Sequence, residues 1–198
     1  SPESSQQVEV GGTITTKDAR LDVALFQNVI SNRIAAQTIS TVGTAVTAQY
    51  QNNPSNIVVQ GIEFQGEADV FRTLGIGVSP GTRWSVFGNA NYNFQMTDYG
   101  ANVVTAGTNQ ATRVYQYQGA FGTRYGALDG KMPWNVQLIG LLRGPVYYNT
   151  EEALNPALFP GQVRNTTVYR KDPFWVFNSR AEVEVHKGVK LFGALNNI

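Results

Sequence analysis

The 198 residues contain no cysteine, one histidine and, at 15%, few charged side chains. Zero cysteines exclude disulfides and thiolate metal sites. His186 stands alone in a tight-turn context, so neither a histidine cluster for zinc or iron nor a Ser-His-Asp arrangement can be built around it. Ordinary soluble domains carry roughly 25% charge. Here 15 basic and 14 acidic residues are interspersed, giving a net charge of +1 with no basic stripe, which argues against nucleic acid as a partner. Long apolar runs are missing too. No stretch approaches the roughly 18 uninterrupted apolar residues of a spanning helix, and the mean hydropathy is −0.21. The opening SPESSQQ lacks a basic n-region and an apolar h-region, so a targeting segment for export is expected outside these residues. Gly75-Ile76-Gly77 and Gly119-Ala120-Phe121-Gly122 lack the strand-turn-helix context of a phosphate loop and read as strand glycines. These residues point to no catalytic residue, no metal site and no cofactor, and an enzyme is not expected.

What the chain does have is alternation. From Trp84 to Phe94, Trp84, Val86, Gly88, Ala90, Tyr92 and Phe94 alternate with Ser85, Phe87, Asn89, Asn91 and Asn93. That is a strand with one apolar and one largely polar face, at a length close to the roughly 9–11 residues a tilted strand needs to cross a bilayer. Eight such candidates follow one another: Gln7–Thr16, Arg20–Ile34, Ile57–Phe71, Trp84–Thr97, Arg113–Leu128, Trp134–Tyr148, Thr166–Val185 and Val189–Leu195. Short turns are expected at Lys17-Asp18, Ser79-Pro80-Gly81-Thr82, Asp129 to Pro133 and His186-Lys187-Gly188, where turn residues concentrate. Long polar loops are expected over 98–112 and 149–165, and over 35–55 a long excursion or strand extensions above the membrane. Short turns at one end and long loops at the other are the asymmetry of outer-membrane barrels. The reading is an all-β, antiparallel transmembrane barrel wall. A soluble sandwich or lipocalin-like barrel shares the alternation and stays open. Strands longer than the usual five or six residues and aromatics gathered at strand ends favour the membrane.

The residues also carry a resemblance. Glu9 to Ile34 (EVGGTITTKDARLDVALFQNVISNRI), Asn56 to Val70 (NIVVQGIEFQGEADV, with Gly61, Ile62 and Glu63 at a Gly-(Val/Ile)-Glu strand), WSVFGNANYNFQMTD, and Lys187 to Ile198 ending in Asn196, Asn197 and Ile198 follow in order the strands of TonB-dependent outer-membrane receptors. The chain resembles that family along almost its whole length. The resemblance implies active uptake across the bacterial outer membrane of a scarce nutrient such as a ferric siderophore, haem, cobalamin or a glycan. It implies outer-membrane lipid, the TonB complex, a plug domain and a small ligand as partners. Barrels of such transporters have 22 strands and a plugged lumen, so residues 1–198 are expected to be a single barrel segment of about eight up-and-down strands, with the plug and the final strands absent.

On that resemblance, Glu63, Glu67, Asp69, Arg180, Glu182 and Glu184 are candidates for lumen contacts with plug residues of opposite charge, although a solvated wall would present the same side chains. Tyr99, Tyr147, Tyr148 and Phe159 are the loop aromatics expected to meet ligand, since they combine apolar area with a polar tip; girdle or loop packing is their plainer role. Two other functions remain: a self-contained small outer-membrane barrel acting as adhesin, anchor or channel, and a soluble β-rich binding module.

Overall fold

The computed structural model describes residues 2–42, 45–100, 110–148 and 169–198, with backbone only over 35–49 and at 169. Eight strands form one antiparallel sheet: β1 (Ser4–Thr15), β2 (Ala19–Ser31), β5 (Ile57–Asp69), β6 (Thr82–Asp98), β7 (Tyr117–Ala127), β8 (Trp134–Arg143), β11 (Phe174–His186) and β12 (Val189–Asn196). Their spatial order is their chain order, an up-and-down meander. Two side hairpins, β3 (Arg33–Val42) with β4 (Ala45–Asn53) and β9 (Val146–Tyr148) with β10 (Tyr169–Lys171), rise from one end of it. The other end carries tight turns. At the first of these, the Thr16 N–H donates to the Ala19 carbonyl (2.8 Å) across Lys17-Asp18; at the second, the Thr82 N–H donates to the Ser79 carbonyl (3.0 Å).

Register sorts the side chains. Facing rows such as Leu21–Gly66–Gly88–Phe121–Gly140–Phe177 and Val23–Phe64–Ala90–Gly119–Leu142–Trp175 run across the sheet on one side. The other side carries Asp22–Gln65–Asn89 and Glu63–Asn91–Gln118–Arg143. The apolar side is the more exposed one. In β8, Trp134, Val136 and Leu138 are exposed while Asn135, Gln137 and Ile139 between them are half-buried. The sheet therefore curves toward its polar face, whose side chains crowd one another, and turns its apolar face outward. A soluble sandwich needs the reverse, with the apolar face under a second layer. Among the described residues the buried apolar side chains are only Ile57, Met96, Ala111 and Val146, all near the loop end.

The outward face is banded. Near the turns, Phe71, Trp84, Tyr125 and Trp134 meet edge-on, with centroids 5.8, 6.2 and 5.7 Å apart for Phe71–Trp84, Phe71–Tyr125 and Tyr125–Trp134. Higher up, Tyr92 and Tyr117 pair. The next outward row is Gln27–Gln60–Gln95, with a Gln60-to-Gln27 hydrogen bond of 2.6 Å. Eight residues separate Trp84 from Tyr92; at about 3.3 Å per residue and a tilt of about 40° the two aromatic levels lie about 20 Å apart, close to the apolar band of about 25 Å between the girdles of a barrel. β6, with 17 residues, continues well beyond that band.

Four expected boundaries move. The third strand stops at Asp69 rather than Phe71, because the Asp69 carboxylate accepts the Arg72 N–H (3.2 Å) and caps a helical turn, α1 (Val70–Thr73). The fifth strand begins at Tyr117, since Arg113 sits at φ 63. Trp134–Tyr148 is interrupted at Gly144-Pro145, and the seventh candidate at Asp172-Pro173, where proline offers the ladder no N–H. The 35–55 stretch is a paired hairpin, β3–β4. A bulge at Phe94, between the Gly61–Asn93 and Gln60–Gln95 pairs, inverts the alternation above the band.

Candidate functional site

Two connected regions present chemistry: the concave polar wall and the base of the loops above it. The wall forms a trough of about 730 Å³ whose lining includes Glu9, Asp22, Glu63, Asn91, Gln118 and Arg143. Of the charges that line it, Asp22 is matched locally, whereas Glu9 and Glu63 have no hydrogen bond or ion pair among the described residues. Arg20 grips Asp22 through Nε (2.9 Å) and Nη2 (3.0 Å), and the Thr13 hydroxyl donates to the same carboxylate. Arg124 donates to Gln137 (3.3 Å) and lies over the Phe87 ring (5.8 Å). Glycine makes room for the inward rings: a Cβ on Gly122 would lie 2.6 Å from Phe87, and one on Gly61 would lie 2.7 Å from Phe26.

All six expected lumen residues fall on this polar side, but in different states. Asp69 is buried and held by Arg83 (3.3 Å) and Arg72 (3.7 Å) besides capping α1. Arg180 pairs with Glu182 (3.2 Å), which also accepts from Asn135 (2.8 Å). Glu184 accepts the Gly188 N–H (3.0 Å) and closes the β11–β12 turn. Glu67 faces Arg20 across the β2–β5 pair. Among the described residues no hydrogen bond or ion pair engages the Glu63 side chain, which is exposed to the trough.

The loop base is a built structure. Buried Asn93 donates to the Tyr115 carbonyl (2.7 Å), and its N–H donates to the Gln116 carbonyl (2.7 Å). The Arg113 N–H donates to the Tyr147 carbonyl (2.8 Å), and the Gln116 N–H to the Pro145 carbonyl (3.0 Å), tying the 110–116 segment to the β9 hairpin. Arg33 and Asp98, both largely buried, pair at 2.9 Å and brace the β3–β4 hairpin against β6. Beneath, Ile57, Met96 and Ala111 form a small core with Ile30, Val59 and Val114.

Of the expected ligand aromatics, Tyr99 is 63% exposed, with its hydroxyl 3.3 Å from Gln95 Nε2. Tyr147 and Tyr148 are half-buried in β9. Burial holds the Tyr148 phenol above its ordinary value, with Tyr115 beside it a lesser cause. Arg143 lies over the Tyr115 ring (5.6 Å) and donates to Gln118. This joins Tyr148, Tyr115 and Arg143 into one group at the rim of the trough, a grouping the sequence did not announce, because Tyr115 precedes its strand and Arg143 ends another. Nothing joins Tyr99 to it among the described residues, and Phe159 lies outside them. Among the described residues no group of three or more His, Cys, Asp or Glu side chains could hold a metal ion, and no helix is long and apolar enough to cross a membrane, which says nothing of strands.

No curated protein matches this sequence. Among solved structures, the siderophore receptor PirA from Acinetobacter baumannii superposes with a TM-score of 0.63 at 15% identity, over 100% of this chain and 28% of that one. That likeness carries the fold, and the chain spans little more than a quarter of the length of the receptor it matches. The sequence itself matches the family described as TonB dependent receptor-like, beta-barrel, over residues 1–198. The open meander with its apolar face outward and its polar face inward is thus barrel wall, and this chain belongs to the TonB-dependent receptor β-barrel family.

Proposed function

We propose that these residues form part of the wall and the loop bases of an outer-membrane receptor that takes up a scarce nutrient, with a ferric siderophore as cargo. The family is one of receptors and transporters rather than enzymes. The observation that carries the membrane reading is the inverted amphipathicity: Trp134, Val136 and Leu138 exposed, with polar neighbours half-buried on the concave side. The siderophore rests on the neighbour, itself a siderophore receptor. A self-contained eight-stranded barrel draws less support, because among the described residues β1 and β12 pair only with β2 and β11 and are exposed throughout. Those edges suit continuation into further strands of a larger barrel, with a plug supplied from elsewhere in the receptor.

In that barrel the wall acts in two ways. Its matched charges and amides hydrate a path once the plug moves, and Glu63 offers a carboxylate to a basic group of the plug. The group formed by Tyr148, Tyr115 and Arg143 stands where incoming ligand passes from loops to lumen, with Arg143 supplying positive charge toward an anionic chelate. Energy arrives through TonB, by way of parts of the receptor other than this wall. The test is uptake by cells whose only such receptor is this one. Growth on iron held by added siderophores, lost when the inner-membrane energy supply is removed, is the expected result. Growth supported only by haem, cobalamin or a glycan would replace the cargo, and recovery of the receptor in the aqueous fraction without detergent would overturn the membrane reading.

A further inference from the structure

The segment between β5 and β6 differs from the β1–β2 and β11–β12 turns; the β7–β8 turn also exposes apolar side chains, at Leu128 and Met132. At residues 17–18 and 187–188 the chain reverses over polar residues. Between Asp69 and Thr82 it instead makes the α1 turn and then runs Leu74-Gly75-Ile76-Gly77-Val78, whose apolar side chains are 66%, 47% and 41% exposed. The segment is held in shape: the Leu74 N–H donates to the Val70 carbonyl (3.0 Å), and the Ile76 N–H to the Phe71 carbonyl (2.9 Å). A Cβ on Gly75 or Gly77 would meet nothing within 4 Å, so the chain here stands clear of the wall.

Two observations fix what it faces. Phe71 packs edge-on against Trp84 and Tyr125, which belong to the outward, apolar side, so α1 leans over the aromatic girdle rather than under the lumen. Arg72 and Arg83 turn the other way, both onto the buried carboxylate of Asp69 on the polar side, so the side of the segment beside the girdle is left to apolar side chains. Apolar side chains beside an aromatic girdle match the boundary between acyl chains and lipid headgroups.

We propose that residues 70–78 form an interfacial anchor that inserts Leu74, Ile76 and Val78 into the phospholipid headgroup region at the turn end of the barrel. The proposal rests on the membrane reading above, and its test separates the two. The full receptor, reconstituted in vesicles of phosphatidylethanolamine and phosphatidylglycerol, carries a nitroxide at Ile76→Cys, at Leu138→Cys on the outward wall, or at Lys187→Cys in a polar turn. Collision rates with oxygen, which partitions into lipid, and with a water-soluble nickel chelate report depth. The expected result is an oxygen-dominated signal at position 76, intermediate between 138 and 187. With position 138 in lipid, a position 76 as open to nickel as 187, or shielded from both reagents by a protein surface, overturns the anchor alone. A position 138 open to nickel overturns the membrane reading and the anchor with it.

Discussion

Leu138→Arg tests the outward face most directly. Leu138 sits midway along β8, on the outward side, between Thr123 of β7 and Ser179 of β11, and is 45% exposed. Its small neighbours leave an arginine room, so a clash does not decide the outcome. A whole leucine side chain gains roughly 1.5–3 kcal/mol on leaving water, and 45% of that is about 1 kcal/mol contributed by contact with acyl chains. Leu138→Ala removes about that amount. An arginine also sets a guanidinium near the bilayer midplane, bringing the total loss to about 2–4 kcal/mol. The assay is denaturant unfolding of the full receptor in vesicles, followed by tryptophan fluorescence, with Asn89→Arg, at an exposed position on the concave side, as the control. The control should change stability by no more than about 0.5 kcal/mol, as surface substitutions do. If the face met water, Leu138→Arg would be as neutral as the control. That equality would refute the reasoning, whereas failure of Leu138→Arg to fold in any solvent would point to a buried soluble core.

Other substitutions probe the wall from inside. Glu63→Lys should leave unfolding within about 0.5 kcal/mol of wild type, since no local partner is lost among the described residues, yet slow uptake; unchanged uptake would remove Glu63 from any contact with the plug. Asp69→Ala deletes a helix cap and a buried carboxylate shared by two arginines, and should destabilise by about 1–2 kcal/mol, most of it from the cap because the arginine heads are solvated; calorimetry of the two proteins gives the difference. Gly61→Ala places a Cβ 2.6 Å from the Tyr92 carbonyl oxygen and 2.7 Å from the Phe26 ring, an overpacking expected to cost about 1–3 kcal/mol, read by the same unfolding curves. Arg143→Gln should weaken capture of an anionic ferric chelate while leaving the wall intact, measured by quenching of receptor fluorescence on titration.

The strands were legible wherever one face is apolar. Residues 84–92, apart from Phe87, and 134–138 alternate with a period of two, and pairing preserves it across β6, β7 and β8. Over 35–55, where Thr, Gln and Asn fall on both faces, the period carries little information and an excursion and strand extensions read alike; the β3–β4 pairing decides for strands. Pro145 and Pro173 were visible breakers whose effect the run of apolar residues around them masked. The helical turn at Val70–Thr73 hid because its cap, Asp69, also continues the alternation of Glu63, Gln65 and Glu67. The site was legible in part: the charges of the polar face were found, but their partners depend on register, which no single strand encodes. Asn135 meets Glu182 across 47 positions, and Asn93 meets the Tyr115 carbonyl across 22.

That dependence on register bears on how a receptor wall could pass a charged cargo. A cargo binds where a charge is unmatched and leaves slowly if the match is strong, so a conducting path needs groups that hydrate without trapping. On the concave face, Arg20 is spent on Asp22, Arg180 on Glu182, and Arg72 and Arg83 on Asp69, while Arg124 and Arg143 each reach a glutamine amide. Glu9, Glu63 and Glu67 have no hydrogen bond or ion pair among the described residues. Glu63 stands within the trough and Arg143 at its rim, where a neutral amide partner leaves the guanidinium charge in place. On the proposed reading, the first is where a plug is held and the second is where an anionic chelate is first drawn in. Between them in the row stand only the amides of Asn91 and Gln118, and the self-neutralised pairs flank that row, which keeps the wall polar without a deep electrostatic well. Double reversal of one pair, Arg180→Glu with Glu182→Arg, preserves that balance and should leave uptake unchanged. Arg180→Glu alone sets two carboxylates side by side in the lumen and should slow it, and equal uptake by the single and double variants would show that local neutrality of the wall has no bearing on passage.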